Sequence, residues 1–258
     1  MHNPPAPECP VCGGASPLFD VVDFNKSCEE EKGRHLPLAG LPIYYARCSG
    51  CRFCFAPELA GWDEARTKRL IYNDDYLLVD PDFAHIRPAA NAASLQRAFR
   101  SLRRHILHLD YGGGEGALSR ILQADRWHSN SLDPYFCGHS AHAGLPKANL
   151  LTAFEVFEHH PRPRDLVAEL DGLLAEDGLL LFSTLVSDGR IRPGERLGWW
   201  YAAPRNGHVS LYSRRSLAVL AQRHGFVFSS LSDGYHLFHR QLPAWAVEGL
   251  ANLQATFG

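Results

Sequence analysis

Seven cysteines stand in the 258 residues, and five of them fall in two short runs. Cys9-Pro10-Val11-Cys12-Gly13 and Cys48-Ser49-Gly50-Cys51 are Cys-x-x-Cys turns, and Cys54 continues the second at the same step. Such a turn aims two sulfurs to one side, so a pair of turns offers four thiolates to one ion, the tetrahedral arrangement of zinc. The expected ligands are Cys9, Cys12, Cys48 and Cys51, with Cys54 either replacing Cys51 or lying buried beside Phe53 and Phe55. A complete set of four thiolates leaves no open position, which makes this zinc structural rather than catalytic. Disulfides are the weaker reading in a cytosolic protein. Cys28 and Cys137 have no partner at ligand spacing and read as ordinary small residues.

A second run with chemical meaning is Leu107-His108-Leu109-Asp110-Tyr111-Gly112-Gly113-Gly114-Glu115-Gly116. An apolar strand ends in an aspartate, four glycines crowd into five positions, and Leu118, Ile121 and Leu122 follow at helical spacing. Strand, glycine turn and helix in that order open the cofactor site of a doubly wound α/β domain. Gly112, Gly114 and Gly116 alternate, which is not the Gly-x-Gly-x-x-Gly spacing of dinucleotide enzymes. Glu115 also sets a carboxylate at the helix N-terminus, where a pyrophosphate would otherwise sit. A positively charged cofactor without phosphates suits the loop better, and S-adenosylmethionine is one. About 20 residues on, Trp127-His-Ser-Asn-Ser-Leu132-Asp133 supplies a strand ending in an acid, with Pro134, Tyr135 and Phe136 behind it. One carboxylate can accept from both ribose hydroxyls, so Asp133 is the expected ribose anchor. Tyr135 or Phe136 would flank the adenine or belong to the core.

Asp110-Tyr-Gly-Gly-Gly-Glu-Gly116 resembles motif I of the class I S-adenosylmethionine-dependent methyltransferases, Asp/Glu-x-Gly-x-Gly-x-Gly. Phe154-Glu155-Val156-Phe157-Glu158-His159 is similar to their Phe-Glu-Val-Leu-Glu-His, with Phe157 in place of the leucine. With the cysteine module in front, the chain resembles the kind described as methyltransferase domain 23. The resemblance implies that Asp110, Gly112, Gly114, Gly116, Asp133 and Pro134 hold the cofactor, with Phe154 and Glu155 at its methionine end. Glu158 and His159 would cap the next helix or order the turn. Further on, Gly207-His208-Val-Ser-Leu-Tyr-Ser213 is similar to a Gly-His-Val/Ile-Ser-Phe/Tyr-x-Ser segment of related enzymes. Some sugar methyltransferases with an N-terminal zinc module carry Glu-His there, and the histidine removes a substrate proton before methyl transfer. His208 is the catalytic residue this implies. Gly207 stands where the glutamate would be, and the other reading of His208 is a ring that bonds a backbone carbonyl and fixes its loop. Tyr72 and Tyr76 lie where such enzymes bring a lid over the cofactor, or they simply pack.

Several elements must carry these residues. The pattern predicts short strands at Leu18–Val22 and Leu41–Ala46, a helix from Asp63 to Ile71 with Asp63 as N-cap, and another near Ala89–Arg104. A helix over Asp165–Ala175 leads to a buried strand, Leu179–Thr184. After Trp199-Trp200-Tyr201, expected at a substrate rim, a helix from Arg215 to His224 ends at Gly225, and a hairpin joins Val227–Leu231 to Tyr235–His239. The expected fold is α/β: a Rossmann-like, doubly wound, seven-stranded sheet behind a small N-terminal zinc-knuckle module. The linear division is a zinc module over 1–60, a helical connector or lid over 61–104, and a cofactor-binding methyltransferase domain over 105–258.

The function implied is methyl transfer from S-adenosylmethionine to a small-molecule or glycan-linked acceptor, a sugar or nucleotide-sugar being the first expectation. Two alternatives are an RNA methyltransferase guided by the zinc module and a non-catalytic scaffold that keeps the cofactor fold. With 26 basic against 28 acidic residues, the near-neutral charge argues against a nucleic-acid partner. No apolar stretch approaches the ~20 residues of a membrane span, and the proline-rich start is unlike a secretory signal. A soluble, cytoplasmic protein is expected.

Overall fold

The structure is a computed structural model and describes residues 6–134 and 145–257. Tyr135, Phe136 and Cys137 lie outside the described residues, so the readings made for them end there. The described strands, in chain order, are β1 (Leu18–Asp23), β2 (Pro42–Arg47), β3 (Cys54–Phe55), β4 (Leu107–Tyr111), β5 (His128–Leu132), β6 (Ala148–Ala153), β7 (Leu174–Ser183), β8 (Ser210–Leu211), β9 (Val227–Ser230) and β10 (Tyr235–His239). They form two sheets, ordered β1-β2-β3-β8 and β5-β4-β6-β7-β10-β9. The chain divides into two compact units: Met1–Pro81 with Glu158–Arg164 and Leu185–Leu220, and Asp82–Phe157 with Asp165–Thr184 and Ala221–Gly258. These units interleave along the sequence, whereas the linear reading cuts the chain after residues 60 and 104.

The first unit is built on the antiparallel pairing of β1 with β2, β2 with β3 and β3 with β8. Strand alternation turns Ile43 and Tyr45 inward, both fully buried, and Tyr44 outward. Around them pack Phe24, Leu59, Ile71, Tyr76, Trp199 and Leu211. The expected helix runs Glu64–Leu70, and the Asp63 side chain accepts from the Arg66 N–H at 2.7 Å.

The second unit carries the doubly wound sheet. β4 pairs in parallel with β5 on one side and β6 on the other, and β6 pairs in parallel with β7. The hairpin β9–β10 adds antiparallel to β7 through β10. The sheet has six strands among the described residues, where seven were expected. Residues 135–144, between β5 and β6, lie outside the described residues, and the expected count ends there. Because the chain goes from β4 outward to β5 and returns to β6, the sheet's switch point lies between β4 and β6, where ligands of such sheets sit. The expected Asp165–Ala175 helix is found at Pro163–Leu173, and the strand after it begins at Leu174. The helix Ile86–Phe99 buries Ala92, Leu95, Ala98 and Phe99 and leaves Arg97 exposed. Among the described residues no helix is long and apolar enough to cross a membrane.

Candidate functional site

The cysteine turns are closed by backbone hydrogen bonds. Gly13 N–H donates to the Cys9 carbonyl at 2.8 Å, and Arg52 N–H donates to the Cys48 carbonyl at 3.1 Å. Each turn ends in the left-handed region, at Gly13 (φ 79°) and Arg52 (φ 67°). Their thiols converge: the sulfurs of Cys9, Cys12, Cys48 and Cys51 all lie within 4.8 Å of one another. Cys9 and Cys51 are 3.6 Å apart and Cys12 and Cys48 3.4 Å. A disulfide needs about 2.05 Å, whereas sulfurs bound ~2.3 Å from a tetrahedral zinc are about 3.8 Å apart. The four thiols therefore fit one zinc ion and not a pair of disulfides. The hydrogen bond from Cys51 pulls the Cys9 thiol down to about 5 against the opposing effect of burial. Cys54 is elsewhere, fully buried in β3 opposite Arg47 and Leu211. Burial pushes its thiol up to about 12, which keeps it protonated and inert. The set thus contains Cys51 and excludes Cys54.

In the second unit, β4 delivers Asp110 to the lip of the glycine loop. Its Oδ1 accepts from the Thr152 hydroxyl at 2.7 Å, and burial, with a smaller push from the Asp133 charge, raises the carboxyl to about 7. Gly113 has an ordinary φ but no space: an added Cβ would stand 2.3 Å from Asp110 Oδ2 and 2.5 Å from Ser131 Oγ. Gly112 takes φ 73°, and a Cβ there would meet Val156 Cγ2 at 2.5 Å. The loops after β4 and β6 thus touch across the switch point. Asp133, buried at the end of β5, accepts from the Gly114 N–H at 2.8 Å. Pro134 follows it, half-buried, and Gly114 and Gly116 complete the turn in the left-handed region. Glu115 is exposed.

Glu155 sits in the same region at φ 54°, a conformation a non-glycine residue rarely takes and one that concentrates at ligand sites. Neighbours hold it there: its N–H donates to Ser183 Oγ at 2.8 Å, and that hydroxyl donates to Glu155 Oε1 at 2.7 Å. Arg87 Nη1 lies 3.4 Å from the other oxygen. Phe154 packs edge-on against Tyr235, ring centroids 6.0 Å apart. Asp110, Gly112, Gly114, Gly116, Asp133, Pro134, Phe154 and Glu155 accordingly all belong to one unit, at the ends of β4, β5 and β6.

The first unit holds a separate polar centre. His208, 4% exposed, donates from Nδ1 to the Tyr201 carbonyl at 2.8 Å. A carbonyl only accepts, so the lone pair of the neutral ring is on Nε2. One ring nitrogen each from His159 and His208 and a carboxylate oxygen of Glu158 lie within 4.8 Å of one another. Glu158 is fully buried, and its Oε1 accepts from the Tyr201 hydroxyl at 2.5 Å. His159 Nδ1 is 3.1 Å from the Tyr72 hydroxyl. Backbone pairing fixes the two contributing segments: Val209 N–H donates to the Glu158 carbonyl at 2.9 Å and Ser210 Oγ to the His160 carbonyl at 2.8 Å. A carboxylate oxygen of Glu158 thus lies beside the His208 ring.

Sequence reasoning left Glu158 and His159 as turn residues and placed Tyr201 at a substrate rim. Tyr201 is instead buried, 3% exposed, with its hydroxyl on Glu158. Tyr76 packs in the first unit's core, and Tyr72 reaches the histidine cluster. The signal that could have found Glu158 is its charge directly after the apolar Val156-Phe157. Phe157 stacks on Phe182 at 4.0 Å, which anchors the turn from which Glu158 and His159 leave.

Comparison with known proteins supplies independent findings. The family described as "Methyltransferase domain" matches residues 83–231, more than half of the chain. No curated protein matches. Among solved structures, human N-acetylserotonin methyltransferase in complex with S-adenosylmethionine aligns at 14% identity over 70% of this chain and 63% of its own, with a TM-score of 0.43. The chain thus spans less than two thirds of that enzyme's length. Streptomyces venezuelae DesVI aligns at 15% identity over 71% and 100% (TM-score 0.44). The plantazolicin methyltransferase BpumL in complex with S-adenosylhomocysteine aligns at 14% over 72% and 95% (TM-score 0.45).

Proposed function

The chain belongs to the methyltransferase-domain family, and on that premise we propose that it transfers a methyl group from S-adenosylmethionine to a small-molecule or glycan-linked acceptor. The observation that carries this reading is that the family match spans both the glycine loop and the Phe154–Glu155 turn. When bound, the cofactor supplies an electrophilic methyl group on a sulfonium. Asp133, whose Oδ2 accepts from the Gly114 N–H, is the residue we assign to the ribose hydroxyls. Gly112 and Gly113, with no room for side chains, let backbone approach the ligand. Glu155, braced by Ser183 and Arg87, suits the cationic methionine end.

His208 is the residue we assign to the acceptor's proton: its Nδ1–H is committed to Tyr201 and Nε2 carries the lone pair. With the cofactor held by the glycine loop and Asp133, its methyl would pass to the acceptor's nucleophile with the thioether as leaving group, and Nε2 of His208 would take the acceptor's proton. A sugar or nucleotide-sugar is the acceptor class this supports. A cleft of about 520 Å³ in the first unit brings Trp199 and Trp200, which suit a sugar face, together with Glu30, Glu31 and Arg190, which suit hydroxyls. Cys9, Cys12, Cys48 and Cys51 would hold one structural zinc, and a reducing cytoplasm would keep those thiols available.

Calorimetric titration with S-adenosylmethionine and, separately, with NAD tests the cofactor. The expected result is binding of the first alone, lost in Asp133→Ala. A folded, zinc-loaded protein that binds neither would overturn the enzyme reading and favour a scaffold.

A further inference from the structure

We propose that Glu158, His159 and His208 form a second metal site, which binds one divalent first-row transition ion, zinc among them, and that this ion inhibits methyl transfer. The ligand chemistry sets the class. Two imidazoles and one carboxylate suit zinc, cobalt, nickel or iron, whereas magnesium and calcium call for oxygen donors alone. The cluster has one ligand atom from each residue within 4.8 Å of the others, with Glu158 and His208 buried.

Each candidate ligand is also oriented by a partner behind it, as ligating groups are. His208 Nδ1–H is held by the Tyr201 carbonyl at 2.8 Å, so Nε2 is the ring nitrogen that would ligate a metal. Glu158 Oε1 takes the Tyr201 hydroxyl at 2.5 Å, which orients the carboxylate. His159 Nδ1 lies 3.1 Å from the Tyr72 hydroxyl. Tyr45 braces the same place from below, donating its hydroxyl to the His208 carbonyl at 2.7 Å. Gly207 contributes by its size. A Cβ there would sit 3.2 Å from both His159 Nδ1 and the Tyr72 hydroxyl, so a larger residue would crowd the cluster. Three protein ligands leave a four-coordinate ion one position for water.

The site differs in kind from the cysteine cluster, which offers four soft thiolates and no open position. Its effect on turnover rests on the assignment of His208 as proton acceptor, because the Nε2 lone pair that would take the acceptor's proton is the one the ion would occupy. Binding of the ion itself does not rest on that assignment.

The test uses the full chain with one zinc already in the cysteine cluster, titrated with Co²⁺. The expected result is a second bound equivalent with visible d–d absorption and no thiolate-to-metal charge-transfer band. His159→Ala and Glu158→Gln should each lose this equivalent while keeping the zinc, whose retention reports that the unit is folded. Tyr201→Phe, which removes one supporting hydroxyl from a buried position, should weaken it about 10–100-fold. Absence of a second equivalent in the wild-type chain, or its persistence in His159→Ala, overturns the site. In parallel, turnover should fall in proportion to occupancy and recover when a chelator removes the second ion. Binding without inhibition overturns the inhibition and, with it, the assignment of His208, but leaves the site standing. No binding, together with dead His208→Gln, overturns the site and leaves the proposed reaction standing.

Discussion

His108 and His208 are hidden to nearly the same degree, 2% and 4% exposed, yet they are opposite kinds of residue. His108 lies in β4 with both ring nitrogens occupied, Nδ1 2.7 Å from Ser129 Oγ and Nε2 3.0 Å from Thr152 Oγ1. The Thr152 hydroxyl gives its hydrogen to Asp110, so it must receive one from Nε2, and Nδ1 must accept from Ser129. Burial lowers this histidine to about 3, and the ring stays neutral. His208 carries its hydrogen on the other nitrogen, Nδ1, and has its lone pair on Nε2, in company with Glu158 and His159. Burial does not distinguish the two rings. What does is the company each ring keeps: two hydroxyls around His108, a carboxylate and a second imidazole near His208. On the proposed function, the first region is the scaffold under the cofactor loop and the second holds the residue assigned to the acceptor's proton.

The contrast breaks most plainly at His208. His208→Gln should reduce kcat by ~10²–10⁴-fold and leave the S-adenosylmethionine Kd unchanged by calorimetry; a parallel loss of both would merge the two regions into one function. Gly113→Ala should do the reverse, weakening the cofactor by about 100-fold, because the new Cβ falls 2.3 Å from Asp110 Oδ2, with metal content unaltered. His108→Phe should cost about 1–3 kcal/mol in urea unfolding, since it strands the Ser129 hydroxyl in the core and leaves Thr152 bonded to Asp110 alone; kcat of the folded fraction should hold. The smallest effect concerns Asp110, raised from 3.8 to about 7 by burial. Its folded state keeps a proton that the unfolded chain releases, so stability is full below the unfolded pKa and falls as pH rises toward about 7. Asp110→Asn should flatten that slope and so gain on wild type as pH rises to 8. Parallel curves for the two proteins would show that the carboxyl is ionised without penalty.

Local chemistry was legible in the sequence and long-range assembly was not. The cysteine turns could be read because Cys-x-x-Cys is a self-contained loop, and the glycine turn because strand, loop and helix are consecutive. Cys51 and Cys54 could not be separated by spacing: the difference is that Cys54 falls in β3, opposite Leu211, a pairing across more than 150 residues. The Glu158–His159–His208 cluster was missed for the same reason, since no periodicity links residues fifty apart.

The four-stranded sheet also has a history on the ribosome. The four clustered thiols are all present once Cys51 has been added, and β1, β2 and β3 are complete by Phe55. Their last neighbour, β8, arrives only at Ser210–Leu211. Throughout the synthesis of the intervening chain, the free side of β3 is an open edge that any extended segment could join. At two residues long it offers a wrong partner very little to hold, and such brevity is one of the ways proteins keep nascent edges from aggregating.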